Sequence, residues 1–175
     1  MHEEYAEALY EVAKEDRAEE LFFEELHDIC AALSSNSEYT KLLDTPTLSP
    51  ELRVSLAEKA FADADERILN FILILCEKKH FDLFEKCVCH FDKLYDLDHN
   101  ILRAEAVSAY PLTEAQINKL CGILSAKTGK NVILNNTTDS SVIGGIVLRY
   151  DGIQIDKSVR SSLDTLREEL TSLEV

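Results

Sequence analysis

Hydrophobic residues in the first part of the chain recur three and four positions apart. This spacing places them on one face of an α-helix and leaves the other faces to polar and charged residues. The first group is Tyr5, Leu9, Val12 and Ala13, and the second is Phe22, Leu26, Ile29 and Leu33. The pattern predicts two amphipathic helices that turn their apolar faces toward a common core.

Two further helices are predicted from their end signals. Ser37 is a capping residue for a short third helix that ends near Leu43-Asp44, before Pro46. Ser49-Pro50-Glu51 combines a capping hydroxyl, a proline at the first helical position and an acid in the first turn, all typical of a helix start. The residues expected to face inward from the fourth helix are Leu52, Leu56, Ala60 and Phe61.

The fifth helix is predicted to lie at the centre of a bundle, because a helix that is apolar all round is enclosed by its neighbours. Its apolar residues are Ile68, Leu69, Phe71, Ile72, Leu73, Ile74 and Leu75. Periodicity alone also allows a buried strand here, but Asp65-Glu66 before the segment and Lys78-Lys79 after it favour a helix. A long sixth helix is predicted from Phe81, Phe84, Val88, Phe91, Tyr95 and Leu102.

Beyond about residue 103 the pattern changes to short segments typical of strands. Strands are predicted over residues 104–110, 131–135, 143–150 and 153–155, and Asp151-Gly152 predicts a two-residue hairpin turn between the last two. Thr113 and Gln116 form a capping box for a helix that ends at Gly129. The predicted fold is α+β, with a six-helix bundle over residues 1–103 and a small α/β domain of order β-α-β-β-β-α over residues 104–175.

The last predicted helix carries one apolar seam and begins after two capping candidates, Asp156 and Ser158. The seam residues are Val159, Leu163, Leu166, Leu170 and Leu173. Gly144-Gly145 precedes a strand instead of opening a helix after one, so it does not match a nucleotide-binding motif. The pair indicates a close backbone approach or a bulge.

This C-terminal stretch resembles the signature of the delta subunit of bacterial F-type ATP synthases, the family of the oligomycin-sensitivity-conferring protein. The matching pattern is GG-I-V-L-R…D-G…I-D-x-S-V-R-x-x-L-x-x-L, carried by Gly144, Gly145, Gly152, Asp156, Ser158, Val159, Arg160 and Leu163. The family usually has glycine where this chain has Lys157, but both capping candidates remain. The stretches Tyr5-Ala6-x-Ala8-Leu9 and Ala104-x-Ala106-x-Ser108-Ala109 resemble the openings of the family's two domains.

The resemblance implies a non-catalytic stator subunit without a cofactor, present in one copy per complex. Its helical domain is expected to bind N-terminal helices of the alpha subunits in a groove between the first and fifth helices. The residues expected to line that groove are Tyr5, Leu9, Phe71, Ile74 and Leu75. The second domain is expected to bind the C-terminal ends of the b subunits in the peripheral stalk, on the cytoplasmic side of the bacterial membrane.

The charge of the chain narrows the choice of partners. The formal net charge is −15, and residues 1–105 carry 25 acids against 11 Lys or Arg, while the remainder carries 8 against 7. An acidic surface opposes binding to nucleic acids and to anionic lipids, both of which require clustered cations. It favours the approach of a basic partner. We therefore expect no nucleic acid partner, and membrane association only through other subunits.

Candidate catalytic and metal-binding chemistry is sparse. Cys87-Val88-Cys89-His90 lacks the second pair of ligands that a structural zinc site needs, and Asp96-x-Asp98-x-Asn100 lacks the later glycine and glutamate of a calcium loop. No catalytic, cofactor-binding or metal-binding residue is predicted.

Two alternative functions stay open. One is a helical scaffold that pairs through the Val159–Leu173 seam, and the other is a small RNA-binding module, although the latter would need a G-x-x-G loop and a basic surface.

Overall fold

A computed structural model describes residues 2–43, 45, 48–159 and 161 of the chain. The helices in this part are α1 (His2–Glu15), α2 (Glu19–Ser35), α3 (Ser37–Leu43), α4 (Pro50–Ala60), α5 (Glu66–Lys78), a 3-10 turn (Phe81–Leu83), α6 (Phe84–Asp98) and α7 (Glu114–Thr128). The strands are β1 (Ile101–Ser108), β2 (Asn131–Thr138), β3 (Gly145–Tyr150) and β4 (Ile153–Ser158). The predicted α+β class is confirmed, with six α-helices before a sheet whose elements run β-α-β-β-β. Within the last predicted helix, Leu163, Leu166, Leu170 and Leu173 lie outside the described residues.

The chain divides into two compact units, Met1–Leu97 and Asp98–Val175. This division falls a few residues before the boundary expected at residue 103. The assignment of Leu102 to the sixth helix is wrong, because α6 ends at Asp98 and Leu102 is buried in β1. Asn100 has a φ of 55°, a left-handed conformation that interrupts a helix, and Leu102 then pairs with Val132 of β2.

The predicted apolar face of α2 is confirmed, since Phe22, Leu26, Ile29 and Leu33 are all buried. The inward face predicted for α4 is wrong in part. Leu52 is 54% exposed and Ala60 is also exposed, whereas the buried residues of α4 are Arg53 and Ala57. On α1, Val12 is exposed although Leu9 and Ala13 are buried. The buried face of α4 is thus turned by about one residue from the orientation that apolar spacing alone suggests.

Arg53 accounts for the orientation of α4. Its side chain is buried, and its guanidinium donates from Nη1 to the carbonyl oxygen of Cys76 at 3.3 Å and from Nη2 to that of Thr45 at 3.0 Å. Cys76 lies in the last turn of α5, where the carbonyl groups carry the partial negative charge of the helix dipole. Its carbonyl oxygen also accepts a hydrogen bond from the Lys79 N–H at 3.3 Å. The buried cation therefore serves as a cap for α5.

The prediction that α5 is enclosed on all sides is wrong in part. One face is buried, with Ile68, Phe71, Ile72, Leu75 and Cys76 in the core, but Ile74 is 46% exposed and Leu69 and Leu73 are half-buried. The helix begins where the Asp65 side chain accepts a hydrogen bond from the Arg67 backbone N–H at 2.9 Å. It ends at Lys79, whose φ is 60°. An apolar strip of α5 is consequently left accessible on the first unit.

The second unit is built on a four-stranded sheet of order β2-β1-β3-β4. β1 is parallel to β2 and antiparallel to β3, and β3 is antiparallel to β4. The parallel pair requires a crossover, which α7 provides; α7 starts with the predicted Thr113–Gln116 capping box and ends at Gly129 with a φ of 73°. The register places alternate residues of each strand on one apolar face, among them Ala104, Ala106, Leu134, Leu148 and Ile155.

Gly145 confirms the close backbone approach that the glycine pair indicates. Its φ is +84°, and a Cβ atom built on it would lie 2.2 Å from the carbonyl oxygen of Lys157 and 2.8 Å from the Cα of Ser158. Gly145 and Ser158 are register partners in the β3–β4 ladder. Any side chain at residue 145 would have to displace β4 backbone at the point where that strand ends.

We expect Gly145→Ala to destabilise the second unit. Left-handed backbone strain costs about 1–3 kcal/mol, and the displaced β4 backbone adds to that cost. Gly122→Ala is the matched control, because Gly122 lies in α7 with open space around it. Replacing a helical glycine by alanine stabilises a helix by about 0.5–1 kcal/mol. The unfolding free energies of both variants, measured by chemical denaturation, should move in opposite directions; an unchanged Gly145→Ala protein would contradict the close approach.

Candidate interaction site

The five residues expected to line a groove between α1 and α5 differ in how much surface they present. Leu75 is fully buried, and Leu9 and Phe71 are 6% and 7% exposed. Tyr5 is half-buried, and Ile74 is 46% exposed. Leu9, Phe71 and Leu75 thus belong to the hydrophobic core. Only Tyr5 and Ile74 offer appreciable apolar surface to a partner.

A cluster of charged groups links α1 to the start of α5. The Arg67 guanidinium donates to the carboxylate of Asp16, directly after α1, and at 2.8 Å to each of the two carboxylate oxygens of Asp65. It also lies over the ring of Phe22 in α2, 4.8 Å from the centroid. A guanidinium that binds two carboxylates and an aromatic face fixes three chain segments at once. The relative placement of α1 and α5 depends on this cluster.

Asp65 has a second role in the cluster. Its backbone N–H donates to the carboxylate of Glu25 in α2 at 2.6 Å, while its own side chain caps α5. Hydrogen bonds from the Arg67 side chain lower the pKa of Asp65 from 3.8 to about 2. The same contacts with Asp65 and Asp16 raise the pKa of Arg67. Both groups are therefore charged throughout the neutral range.

In the second unit, the structure brings most of the signature residues to one end of the β3–β4 hairpin. The carbonyl oxygen of Gly144 accepts a hydrogen bond from the Val159 N–H at 2.9 Å, beside the Gly145–Ser158 pair. Asp156 accepts from the Ser158 N–H at 2.8 Å, which lowers the pKa of its carboxyl. The Ser158 hydroxyl accepts from the Ser161 N–H at 3.2 Å, the contact expected of a helix cap.

Gly152 is separated from this group, because it lies at the turn on the opposite end of the hairpin. Asp151 and Gly152 have φ values of 45° and 74°, as a type I′ turn requires. Arg160 and Leu163, the remaining signature residues, lie outside the described residues. The described part of the signature thus specifies two backbone features, a tight turn and a hydrogen-bonded end of the β3–β4 ladder, and brings no reactive side chains together.

A polar network on the other face of the sheet was not predicted from the sequence. Glu105 of β1 accepts hydrogen bonds from the Thr137 hydroxyl at 3.0 Å and from the Arg149 guanidinium at 3.2 Å, and Arg149 also donates to Gln154 at 3.1 Å. The network crosses all four strands. Alternation along β1 and β3 places Glu105 and Arg149 on the non-apolar face, but only the observed register, in which they are partners, brings them together.

Two of the five cysteines are poor nucleophiles. Burial raises the pKa of the Cys30 and Cys87 thiols to about 11, so both are protonated and weakly nucleophilic at neutral pH. Cys87 is buried whereas Cys89 is exposed, so the two do not face one ligand. Among the described residues no three His, Cys, Asp or Glu side chains are grouped as a metal site.

Within that same part of the chain, no helix has the length and hydrophobicity to cross a membrane.

Comparison with known proteins matches nearly the whole chain to one family. The family model described as ATP synthase delta (OSCP) subunit matches residues 1–170. The ATP synthase subunit delta of Clostridioides difficile is 30% identical over 171 residues, covering 97% of this chain and 94% of that protein. The sodium-ion-specific ATP synthase subunit delta of Propionigenium modestum is 34% identical and covers 93% of each chain.

The fold is also found in a solved structure. One chain of the Toxoplasma gondii mitochondrial ATP synthase hexamer superposes with a TM-score of 0.75 over 98% of this chain and 97% of its own length. The two sequences are 22% identical. The similarity extends through both units, so the succession of six helices and a mixed sheet recurs there as a whole.

The Asp65 cluster predicts how stability depends on pH. Because the folded pKa of Asp65 is depressed, the stability it contributes is present above pH 3.8 and is lost as pH falls toward about 2. We expect Asp65→Asn to lower the unfolding free energy at neutral pH and to flatten its pH dependence between these values. Asp63→Asn removes an exposed carboxylate outside the cluster and is the control, and the three proteins would be compared by denaturation across the acid range. Equal slopes for all three proteins would show that the Asp65–Arg67 contact contributes nothing.

Proposed function

Because the chain belongs to the ATP synthase delta (OSCP) family, we propose that it is the non-catalytic stator subunit of a rotary F-type ATP synthase. In this role the subunit links the catalytic head to the peripheral stalk, so that rotation is coupled to ATP synthesis and ion transport. The observation that carries the proposal is the match of the family model to residues 1–170, together with relatives covered over more than nine-tenths of their length. The subunit itself is not an enzyme.

Each unit is proposed to hold one partner. The helical unit, working as a six-helix bundle, binds N-terminal helices of the alpha subunits, and the α/β unit binds the C-terminal ends of the b subunits. One copy serves each complex, and the protein reaches the cytoplasmic side of the membrane only through these partners. The acidic surface supports this arrangement, because it opposes direct adsorption to anionic lipid.

The proposed mechanism is mechanical. While the rotor turns, the head experiences torque and would turn with it unless a static link held it. Resisting torque calls for slow dissociation, and dissociation rates are governed mostly by buried apolar anchors. The half-exposed strip of α5, with Ile74 at its centre and Leu73 half-buried beside it, supplies such apolar surface. Apolar surface of this kind commonly binds an amphipathic helix of the partner, whose contacting residues are spaced three and four positions apart.

We propose that the acidic residues around α1 increase the rate of association with the head and contribute little to the affinity. Residues 1–28 contain 11 Asp or Glu against Lys14 and Arg17. A negative surface raises the encounter rate with a basic partner segment but adds little to affinity, because exposed charges are screened by salt. Binding to the head should therefore be fast at low ionic strength and remain tight at high ionic strength.

We expect Ile74→Asp to weaken binding of a peptide from the N-terminus of the alpha chain by about 30-fold or more, the effect of losing an interface hot spot. Ile74 is 46% exposed, so the substitution should leave the fold intact, which a change at the buried Leu9 would not. Leu52→Asp is the control, because Leu52 is 54% exposed on α4 and outside the proposed groove. Affinities would be measured by calorimetry on the full chain.

The result that contradicts this placement is equal affinity for the Ile74→Asp and Leu52→Asp proteins. Failure of the unaltered chain to bind either the alpha peptide or a peptide from the end of the b chain would overturn the stator proposal itself. Thermal melts of all three proteins establish that the differences reflect binding and not unfolding.

The second unit gives a complementary expectation. Gly152→Val should cost about 1–3 kcal/mol of local stability, because valine is strained at a positive φ. No atom lies within 4 Å of the added Cβ, so a steric clash does not add to this cost. Because the turn sets the register of β3 and β4, binding of the b peptide should weaken while binding of the alpha peptide is retained. Both affinities would be measured on the same preparation. Equal losses of affinity for the two peptides would refute the proposal that the two units bind their partners independently.

A further inference from the structure

Three adjoining cavities follow one face of α2. Along this helix they are lined by Glu25, Asp28, Ile29, Ala32, Leu33 and Asn36, whose spacings alternate between three residues and one, and by Ser35. Their volumes are about 250, 260 and 680 Å³. The first two share Ala32, Ala60 and Phe61, and the last two share Asn36 and Tyr39. Together they form one continuous depression, here called the α2 groove, walled by α3 and by the end of α4.

The floor of the α2 groove is apolar. Ile29 and Leu33 are buried beneath it, and the rings of Tyr39 and Phe61 pack edge to face with centroids 6.3 Å apart. The Tyr39 hydroxyl donates to the carbonyl oxygen of Leu56 at 3.0 Å, so its polar group is satisfied within the protein. Ala32 and Ala60 are exposed and small. This combination leaves room for aliphatic side chains of a partner between two aromatic rings and two alanines.

The rim of the α2 groove carries charge of one sign. Glu25, Asp28, Glu38 and Asp63 line it, and none of the described residues that line it is Lys or Arg. The Glu25 carboxylate is held in place by the Asp65 N–H. Because like charges across an interface are strongly unfavourable, an occupant must present cations at its edges. A second copy of this acidic chain, a nucleic acid or an anionic lipid would face repulsion.

The length of the groove indicates the kind of segment that fits. Residues 25 to 36 of α2 span about 16 Å at 1.5 Å per residue, which corresponds to three turns of a helix laid alongside. Such a helix would place apolar residues at i, i+3, i+4 and i+7 on the floor and polar residues at the rim. An apolar floor between acidic edges is complementary to an amphipathic helix with basic flanks.

We propose that the α2 groove binds a short amphipathic helix whose apolar face carries aliphatic residues and whose flanks carry Lys or Arg. This surface consists of residues of α2, α3, α4 and the segment between α4 and α5, and it shares none with the α1 and α5 residues discussed above. The inference does not depend on the stator function, and it adds a second binding surface to the helical unit.

The test uses the full chain and a designed probe. The probe is a peptide of about 15 residues, long enough for marginal helicity, with Leu on one face and Lys on the other. A peptide with Glu in place of each Lys is its control. The Lys peptide should bind saturably, and the Glu peptide should bind at least about tenfold more weakly. Chemical-shift changes on the labelled protein should map to residues 25–36 and 60–64.

A pair of neighbouring variants locates the site. Ala32→Tyr fills the shared centre of the groove, whereas Ala31→Tyr adds the same side chain at an adjacent exposed position that lines none of the three cavities. Ala32→Tyr should weaken the Lys peptide by about tenfold, and Ala31→Tyr by less than about twofold. Equal effects of the two variants, shift changes confined to α1 and α5, or equal affinity for the Lys and Glu peptides would each overturn the proposal. Should Ala32→Tyr lower the melting temperature, the shift map of the unaltered protein decides the question alone.

Discussion

The helical unit depends on how α5 is held at its two ends. At its start, Asp65 caps the helix and binds Arg67, which also reaches Asp16 and the ring of Phe22. At its end, the buried Arg53 donates to the Cys76 carbonyl. Negative charge at the first turn and positive charge at the last both complement the helix dipole. With its ends fixed to α1, α2 and α4, α5 can bury one apolar face and leave another accessible without losing its position.

The two arginines contribute to stability in different ways. Arg67 is about one-third exposed, so its ion pairs are screened and individually weak. Its importance is geometric, because three segments meet at one side chain. Arg53 is buried, and loss of its guanidinium would leave the Thr45 and Cys76 carbonyls without these donors. Breaking a buried polar contact from one side costs more than the contact itself contributes. Arg53 therefore makes α4 and α5 a single packing unit.

Local signals in the sequence were sufficient where a residue's environment is set by near neighbours. The α2 stripe, the Thr113 capping box, the Asp151-Gly152 turn and the close approach at Gly145 all belong to this class. Contacts between distant residues were not predictable. Arg53 has the character of a surface residue, and its acceptors are backbone carbonyls 8 and 23 positions away. Glu105 and Arg149 are 44 positions apart and meet only through strand register.

The strand order of the second unit also determines how it responds to pulling. The chain enters the sheet at Ile101 and leaves it at Ser158, and β1 and β4 point the same way because each is antiparallel to β3. The entry and exit points consequently lie at opposite ends of the sheet along the strand direction. Tension between them runs parallel to the strands and across hydrogen bonds that are perpendicular to it, so the ladders share the force in shear. A sheet entered and left at the same end would instead open one bond at a time.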